Sequence, residues 1–164
     1  MKPYELIIDE EACWGCRACE IACQQERDFA SPPLLRVVED GPRIEEGRFH
    51  YQFQVRICRH CQEPPCLAAC PNQAIYQRPD SIVLLDHQKC DGCGLCQQAC
   101  PYEAIIVDPA RGKAMKCDLC HTRVDSGLYP ACADNICMAH CIYFDRPEEL
   151  RARISLKRAG RSTR

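Results

Sequence analysis

An α+β fold of short strands, short helices and many loops is what the sequence predicts, and three observations lead there. Cysteine fills 17 of 164 positions, in tight groups separated by brief apolar runs. Those runs are short and bounded by Pro, Asp, Ser and Gly, as strands joined by turns are. Leu, Ile, Val and Phe together supply only 33 residues, about 20% of the chain and the lower edge of what an apolar core needs. Something besides side-chain burial is expected to hold the fold.

The cysteines repeat. Cys13, Cys16, Cys19 and Cys23 read C-x2-C-x2-C-x3-C, and Cys90, Cys93, Cys96 and Cys100 repeat that spacing with Pro101 after the last. Between them Cys58, Cys61, Cys66 and Cys70 read C-x2-C-x4-C-x3-C, closed by Pro71. Cys117, Cys120, Cys132, Cys137 and Cys141 form a looser fourth group. Four quartets and one spare account for all of them.

An odd count in runs of four favours metal over disulfides. The opening Met1-Lys2-Pro3-Tyr4-Glu5 lacks a basic region followed by an apolar one, so no secretory signal is expected. No run approaches the roughly 18–20 apolar residues of a membrane span. A cytoplasmic metalloprotein without a direct membrane span is the expectation. Three thiolates at i, i+3 and i+6 can each bind a different iron of one cubane, while a fourth, one helical turn on, points towards a second cluster; this is the run of bacterial two-cluster ferredoxins. A structural zinc site takes two separated C-x2-C pairs, so three cysteines within seven residues, twice over, fit zinc poorly. A zinc scaffold remains the non-redox alternative.

Ala74-Ile75-Tyr76, the turn Arg78-Pro79-Asp80-Ser81 and Ile82-Val83-Leu84-Leu85 predict a strand, turn and return strand. Ala104-Ile105-Ile106-Val107, Asp108-Pro109-Ala110-Arg111-Gly112 and Lys113-Ala114-Met115 predict another such pair, and Leu6-Ile7-Ile8 a further strand. Half-turns of helix are expected after the third cysteine of each group, as at Glu20-Ile21-Ala22-Cys23 and Leu67-Ala68-Ala69-Cys70. Two fused bacterial-ferredoxin-like units follow, each with two cysteine groups. Residues 24–57 read as an excursion packing over the clusters, with turns at Ser31-Pro32-Pro33 and Asp40-Gly41-Pro42 and a strand over His50–Ile57.

Residues 146–164 are predicted to be a basic C-terminal helix and tail. Over 151–164, Arg151, Arg153, Lys157, Arg158, Arg161 and Arg164 are accompanied by no acid, leaving −8 on the rest of the chain. Asp145 reads as the N-cap, Pro147 and Glu148 as first-turn residues and Gly160 as the stop, giving a helix near 146–159. Each oxidised cubane with four thiolates adds about −2, taking the protein to roughly −10. A basic arm on an acidic body suits an acidic neighbour, either a catalytic subunit or another copy of the chain. Such a body disfavours nucleic acid.

His60, His121 and His140 each adjoin a cysteine, but sixteen thiolates already suffice, so they read as supporting groups. Arg17, Arg59 and Lys116 lie in the cysteine loops, where they could offset cluster charge or donate hydrogen bonds, and read equally well as ordinary solvated side chains. Trp14 reads as a lid that keeps water from a cluster. No nucleophile with a paired base and no Gly-rich nucleotide loop stands out. The function expected is electron transfer without catalysis, in a complex, in a free-standing polyferredoxin, or in a self-assembling conductor.

Cys13-Trp14-Gly15-Cys16-Arg17-Ala18-Cys19-Glu20-Ile21-Ala22-Cys23, Cys58-Arg59-His60-Cys61-Gln62-Glu63-Pro64-Pro65-Cys66, Cys100-Pro101-Tyr102-Glu103-Ala104-Ile105 and Lys116-Cys117-Asp118-Leu119-Cys120 resemble the four-cluster iron-sulfur subunits of molybdenum and tungsten oxidoreductases, the family of the dimethyl sulfoxide reductase iron-sulfur subunit. The protein looks most like the small subunit of bacterial tungsten aldehyde oxidoreductases. The resemblance implies four 4Fe-4S clusters, wired in pairs: Cys13, Cys16 and Cys19 with the last ligand of the fourth group; Cys117, Cys120 and Cys132 with Cys23; Cys58, Cys61 and Cys66 with Cys100; and Cys90, Cys93 and Cys96 with Cys70. It also implies an outer unit of 1–57 with 117–145, the first and fourth groups, an inner unit of 58–116, the second and third, a catalytic molybdenum or tungsten partner of aldehyde or formate type, and a flavin subunit, ferredoxin or other acceptor.

The fourth group departs from the family pattern. Pro130-Ala131-Cys132 matches the approach to the third ligand, with eleven residues between Cys120 and Cys132, and Ile142-Tyr143-Phe144-Asp145 matches the segment after the last. That register makes Cys137 the last ligand and puts Cys141 in a small-residue position. The rival register uses Cys137 and Cys141 and leaves Cys132 spare.

Overall fold

The computed structural model describes residues 4–27, 31–133 and 135–161. Chain order runs through β1 (Glu5–Ile8), a 3₁₀ turn (Glu10–Ala12), α1 (Ala18–Arg27), β2 (Leu35–Glu45), β3 (Arg48–Ile57), α2 (Pro65–Ala68), β4 (Ile75–Gln77) and β5 (Val83–Leu85). It continues through α3 (Leu95–Gln98), β6 (Ile105–Asp108), β7 (Lys113–Lys116), α4 (His121–Asp125), β8 (Ile142–Asp145) and α5 (Pro147–Arg161). The fold is mixed α and β, in short pieces.

The described strands pair antiparallel in four two-stranded sheets: β1 with β8, β2 with β3, β4 with β5, and β6 with β7. The turns predicted at 78–81 and 108–112 close the last two, in registers Ile75↔Leu85 and Ile105↔Lys116. The β1–β8 pair joins residues far apart in sequence, Ile8 opposite Ile142, and Asp9 N–H extends it by donating to the Cys141 carbonyl at 2.8 Å. A two-stranded sheet is marginal alone. These sheets are held by what lies between them, which is largely sulfur. One buried cluster sets Leu35, Val37, Val55 and Ile57 among Cys19, Cys23, Cys117, Cys132, Cys137 and Cys141. A second sets Ile75, Val83 and Ile105 among Cys66, Cys90 and Cys96. Ile82, Leu84, Leu119 and Phe144 form a third.

Residues 35–57 form one long hairpin. Its base is buried through Leu35, Val37, Val55 and Ile57, while Ile44 and Phe49, paired across its far end, are exposed. The excursion therefore packs on the cysteine core through its base and Phe53, with its far end exposed. Asp40-Gly41-Pro42 is not a turn as the sequence suggests. It lies within β2, where the register shifts between Asp40 and Arg43, and the chain reverses beyond Glu45. Gly and Pro punctuate a bulge as readily as a turn.

Helix α5 forms where expected, with different ends. It begins at Pro147, and Leu150 N–H donates to Arg146 O, so Arg146 occupies the cap position while Asp145 closes β8. Gly160 lies inside the helix; one glycine costs about 1 kcal/mol there, too little to end it. Leu150 is fully buried. Arg158 reaches Asp9 at 3.0 Å and Glu11 at 3.9 Å, Arg153 reaches Asp145 at 3.4 Å, and Lys157 donates to the carbonyls of Ala139 and His140. The Lys157 ammonium also sits 5.4 Å from the Tyr143 ring centre. The basic segment is thus not a free arm, since part of its charge is spent on its own chain. Arg164 and the Arg161 side chain lie outside the described residues.

One glycine is indispensable to this packing. Gly92 has φ +76°, and a Cβ there would stand 2.2 Å from the Gly112 carbonyl oxygen, backbone that cannot swing aside. Gly92→Ala is expected to cost roughly 2–5 kcal/mol from strain and overlap together. A denaturant titration matching wild type would disprove this.

Candidate metal centres

Each cysteine loop repeats one conformation. The residue before the second cysteine is left-handed in all four: Gly15 (φ 69°), His60 (44°), Gly92 (76°) and Leu119 (60°). That bend turns backbone N–H groups towards sulfur. His60 N–H lies 3.4 Å from Cys58 Sγ, and Leu119 N–H 3.3 Å from Cys117 Sγ. The third cysteine of each of the first three groups rides on a helix, Cys19 on α1, Cys66 on α2 and Cys96 on α3. Each helix starts just before that cysteine, earlier than expected. In the fourth group α4 follows the second cysteine instead, and Cys132 sits in a turn.

The structure brings the thiols together across these groups. Burial, then Cys137, Glu20, Cys13 and Cys16, pushes the Cys19 thiol up to about 12. Burial pushes Cys66 up to about 11 amid Cys58, Cys100 and Cys61, partly offset by the Lys116 ammonium. Cys96 is raised by burial and by Cys90, Cys70 and Cys93. Cys132 is raised by burial and by Cys120, Cys23 and Cys19. Each of these thiols therefore lies beside cysteines of another group as well as of its own. Contacts also run from one set of thiols to the next, because Cys132 neighbours Cys19 and Cys117 neighbours Cys58. Cys66 and Cys70 flank the end of α2, and Cys96 and Cys100 that of α3, linking the two remaining groups. Cys16 of the first group and Cys93 of the third are exposed.

Two of these groups surround open space. One small gap is bordered by Cys58, Cys61, Cys66 and Cys100 with Val83 and Ile105. Another is bordered by Cys23, Cys117, Cys120 and Cys132 with Leu6, Leu35 and Ile57. Among the described residues no group of three or more His, Cys, Asp or Glu has the spacing of a single-ion site. A cubane asks for something else, four sulfurs each on its own iron. All-sulfur donors around space walled by apolar side chains fit that cofactor, and iron supplies the charge that makes buried thiolates tolerable.

The end of the fourth group copies those of the second and third. Three residues beyond Cys70, Cys100 and Cys137 stand Gln73, Glu103 and His140, left-handed with φ 48–49°, each donating its N–H back to the cysteine carbonyl. Four beyond stand Ala74, Ala104 and Cys141, all buried, and five beyond begin β4, β6 and β8. Ala74 N–H reaches Cys70 Sγ at 3.3 Å, and Cys141 N–H reaches Cys137 Sγ at 3.4 Å. Burial raises the Cys137 thiol, but hydrogen bonds from the Cys141 backbone and side chain and from Ile142 and Ala139 N–H carry it below its ordinary value.

Other side chains fall differently from expectation. Trp14 is 64% exposed and is no lid; the Phe53 ring instead covers Gly15, where a Cβ would meet it at 2.3 Å. His60 is buried with Nδ1 accepting Val83 N–H at 3.0 Å, so that lone pair is committed to β5. His121 lies 3.4 Å from Asp118 and His140 is exposed. Arg17 approaches Glu39 at 3.4 Å, and Arg59 lies 5.8 Å from the Tyr102 ring centre. Lys116 is buried, donating to Val83 O at 2.5 Å and Cys117 O at 2.6 Å. Arg27, paired with Asp118 beside Cys117, Cys23 and Cys120, was not singled out by sequence, since its partner lies 91 residues away.

Short paired strands around clustered cysteine thiols define a ferredoxin-type iron-sulfur protein. A 4Fe-4S dicluster domain matches residues 49–146, and a 4Fe-4S binding domain residues 6–26. The sequence is 37% identical over 134 residues to a tetrathionate reductase subunit of Salmonella typhimurium, covering 80% of this protein and 54% of that one. It is 34% identical over 165 residues to a polysulfide reductase component of Wolinella succinogenes, covering 99% and 86%. With a component of the anaerobic dimethyl sulfoxide reductase of Escherichia coli it shares 33% over 157 residues, 90% and 76% of the two sequences. The protein belongs to this 4Fe-4S dicluster family of reductase iron-sulfur subunits. Its cofactors are four 4Fe-4S clusters, and it is an electron-transfer subunit, not a catalytic one. Among the described residues no helix is long and apolar enough to cross a membrane.

Proposed function

We propose that the protein is a linear conductor between a catalytic molybdenum or tungsten oxidoreductase subunit and a second redox partner. The observation that carries this is the adjacency of Cys132 to Cys19 and of Cys117 to Cys58, which supports a row of four sulfur quartets with the exposed Cys16 at one end and the exposed Cys93 at the other. The clusters supply one-electron carriage; the polypeptide spaces them, keeps water from their buried sulfurs and leaves one ligand loop open at each end.

The ligand sets are Cys13, Cys16, Cys19 and Cys137; Cys23, Cys117, Cys120 and Cys132; Cys58, Cys61, Cys66 and Cys100; and Cys70, Cys90, Cys93 and Cys96. The shared conformation after Cys70, Cys100 and Cys137 supports Cys137 over Cys141 as the last ligand. Pairing of β1 with β8, against β4 with β5 and β6 with β7, supports an outer unit of 1–57 with 117–145 and an inner unit of 58–116.

The motif resemblance supports an aldehyde- or formate-type catalytic partner in the cytoplasm, with a flavin subunit or ferredoxin as acceptor. The relatives' names support a second reading, a reductase of sulfur compounds such as tetrathionate or polysulfide. Anaerobic purification from the native host tests both, since the co-purifying catalytic subunit identifies the reaction. The iron-loaded protein should hold about 16 iron and 16 sulfide, with coupled reduced-cluster EPR signals. Zinc without sulfide would end this reading, and a monomer with no companion subunit would replace it with a diffusing polyferredoxin.

A further inference from the structure

The seventeenth cysteine has no place in the ligand sets, yet it is among the most buried thiols, at 2% exposure. Its neighbours are specific. Cys141 Sγ lies 3.4 Å from Cys137 Sγ, within hydrogen-bonding reach, and Cys141 also faces Cys13. Cys13 and Cys137 belong to one proposed quartet. At the matching positions of the second and third groups stand Ala74 and Ala104, whose side chains offer no donor.

The direction of the sulfur-to-sulfur bond follows from chemistry. A cysteine bound to iron is a thiolate and can only accept, so the proton between the two sulfurs belongs to Cys141. We infer that Cys141 is a positioning residue for the first cluster: a non-ligand thiol whose S–H donates to a ligand sulfur of the Cys13, Cys16, Cys19 and Cys137 quartet and raises that cluster's potential above what its own ligands would set. A donor to a ligand sulfur stabilises the more negative, reduced cluster more than the oxidised one. Whether the S–H turns to Cys137 or to Cys13, the same cluster receives it. The cluster at the Cys16 end thereby carries one side-chain donor that alanine denies to the two quartets of residues 58–100. Its effect is to hold an electron more firmly at that end of the row.

This rests on Cys137 being the ligand, and the test separates the two ideas. The iron-loaded full-length protein is compared with Cys141→Ala, which installs the residue already tolerated at positions 74 and 104, and with Cys141→Ser, which keeps a donor. Iron and sulfide are counted, and the clusters are titrated by EPR against potential. Cys141→Ala is expected to keep about 16 iron and to lower one midpoint potential by the equivalent of about tenfold in the equilibrium, about 59 mV for one electron. The other three potentials should stay put, and serine should recover part of the shift. Full iron with an unmoved potential overturns the inference while leaving the ligand sets intact. Loss of about four iron in Cys141→Ala, with Cys137→Ala keeping them, overturns the ligand assignment itself and the inference with it.

Discussion

Stripping iron from the protein under anaerobic conditions is expected to unfold the whole chain, not to leave an empty version of the same fold. Nine cysteines are among its buried residues, and none of the four sheets has more than two described strands. The proposed ligand sets tie Cys19 to Cys137 and Cys23 to Cys117, closing loops that span most of the sequence. By analogy with a disulfide, closing a loop of about 100 residues is worth on the order of 4–5 kcal/mol. Two such closures, with two shorter ones between the second and third groups, are comparable to the roughly 5–15 kcal/mol by which domains are usually stable. Small metal domains in which binding energy is folding energy behave this way. Far-UV circular dichroism and denaturant melts of the loaded and stripped protein, both anaerobic, provide the check. A stripped protein that melts cooperatively near the loaded midpoint would show that the aliphatic residues suffice without iron.

This dependence on sulfur is legible in the sequence because cysteine spacing and turn residues are local signals. The runs at 74–85 and 104–115 became β4–β5 and β6–β7 because Pro79, Asp80, Pro109 and Gly112 sit where the chain must reverse. Cross-wiring of the quartets came from family resemblance, because spacing within one group says nothing about which other group it will face. What stayed hidden depends on residues far apart. Nothing near Asp9 announces that it will be buried against Arg158, 149 positions on. Phe53 covers Gly15 because a hairpin folds back over the first loop, so the aromatic lid went to a residue that spacing could not nominate. Trp14 and Gly160 misled for a related reason. Residue type suggests what a position can do, whereas burial and the cost of alternatives decide what it does.

The same distinction governs Lys116, for which sequence left shielding charge and solvated side chain equally open. Its ammonium is buried, held by the carbonyls of Val83 and Cys117. Val83 borders the gap beside Cys66, and Cys117 borders the gap beside Cys132, so one cation stands between two quartets. Its charge lowers the cost of ionising both Cys66 and Cys117. Lys116→Gln, which keeps a donor and much of the length but removes the charge, is expected to lower the potentials of both adjacent clusters. A unit charge at neighbour distance in a medium of effective dielectric about 20 is worth on the order of 2–4 kcal/mol, on the order of 100 mV for one electron. Removing the ammonium also leaves two anionic clusters facing each other without a counter-charge, so stability should drop by a few kcal/mol at most, far less than loss of a ligand. EPR titration distinguishes this from local damage. Paired negative shifts with full iron content support a shared cation, a shift in one cluster alone assigns the lysine to that cluster, and no shift in either returns Lys116 to a purely structural role.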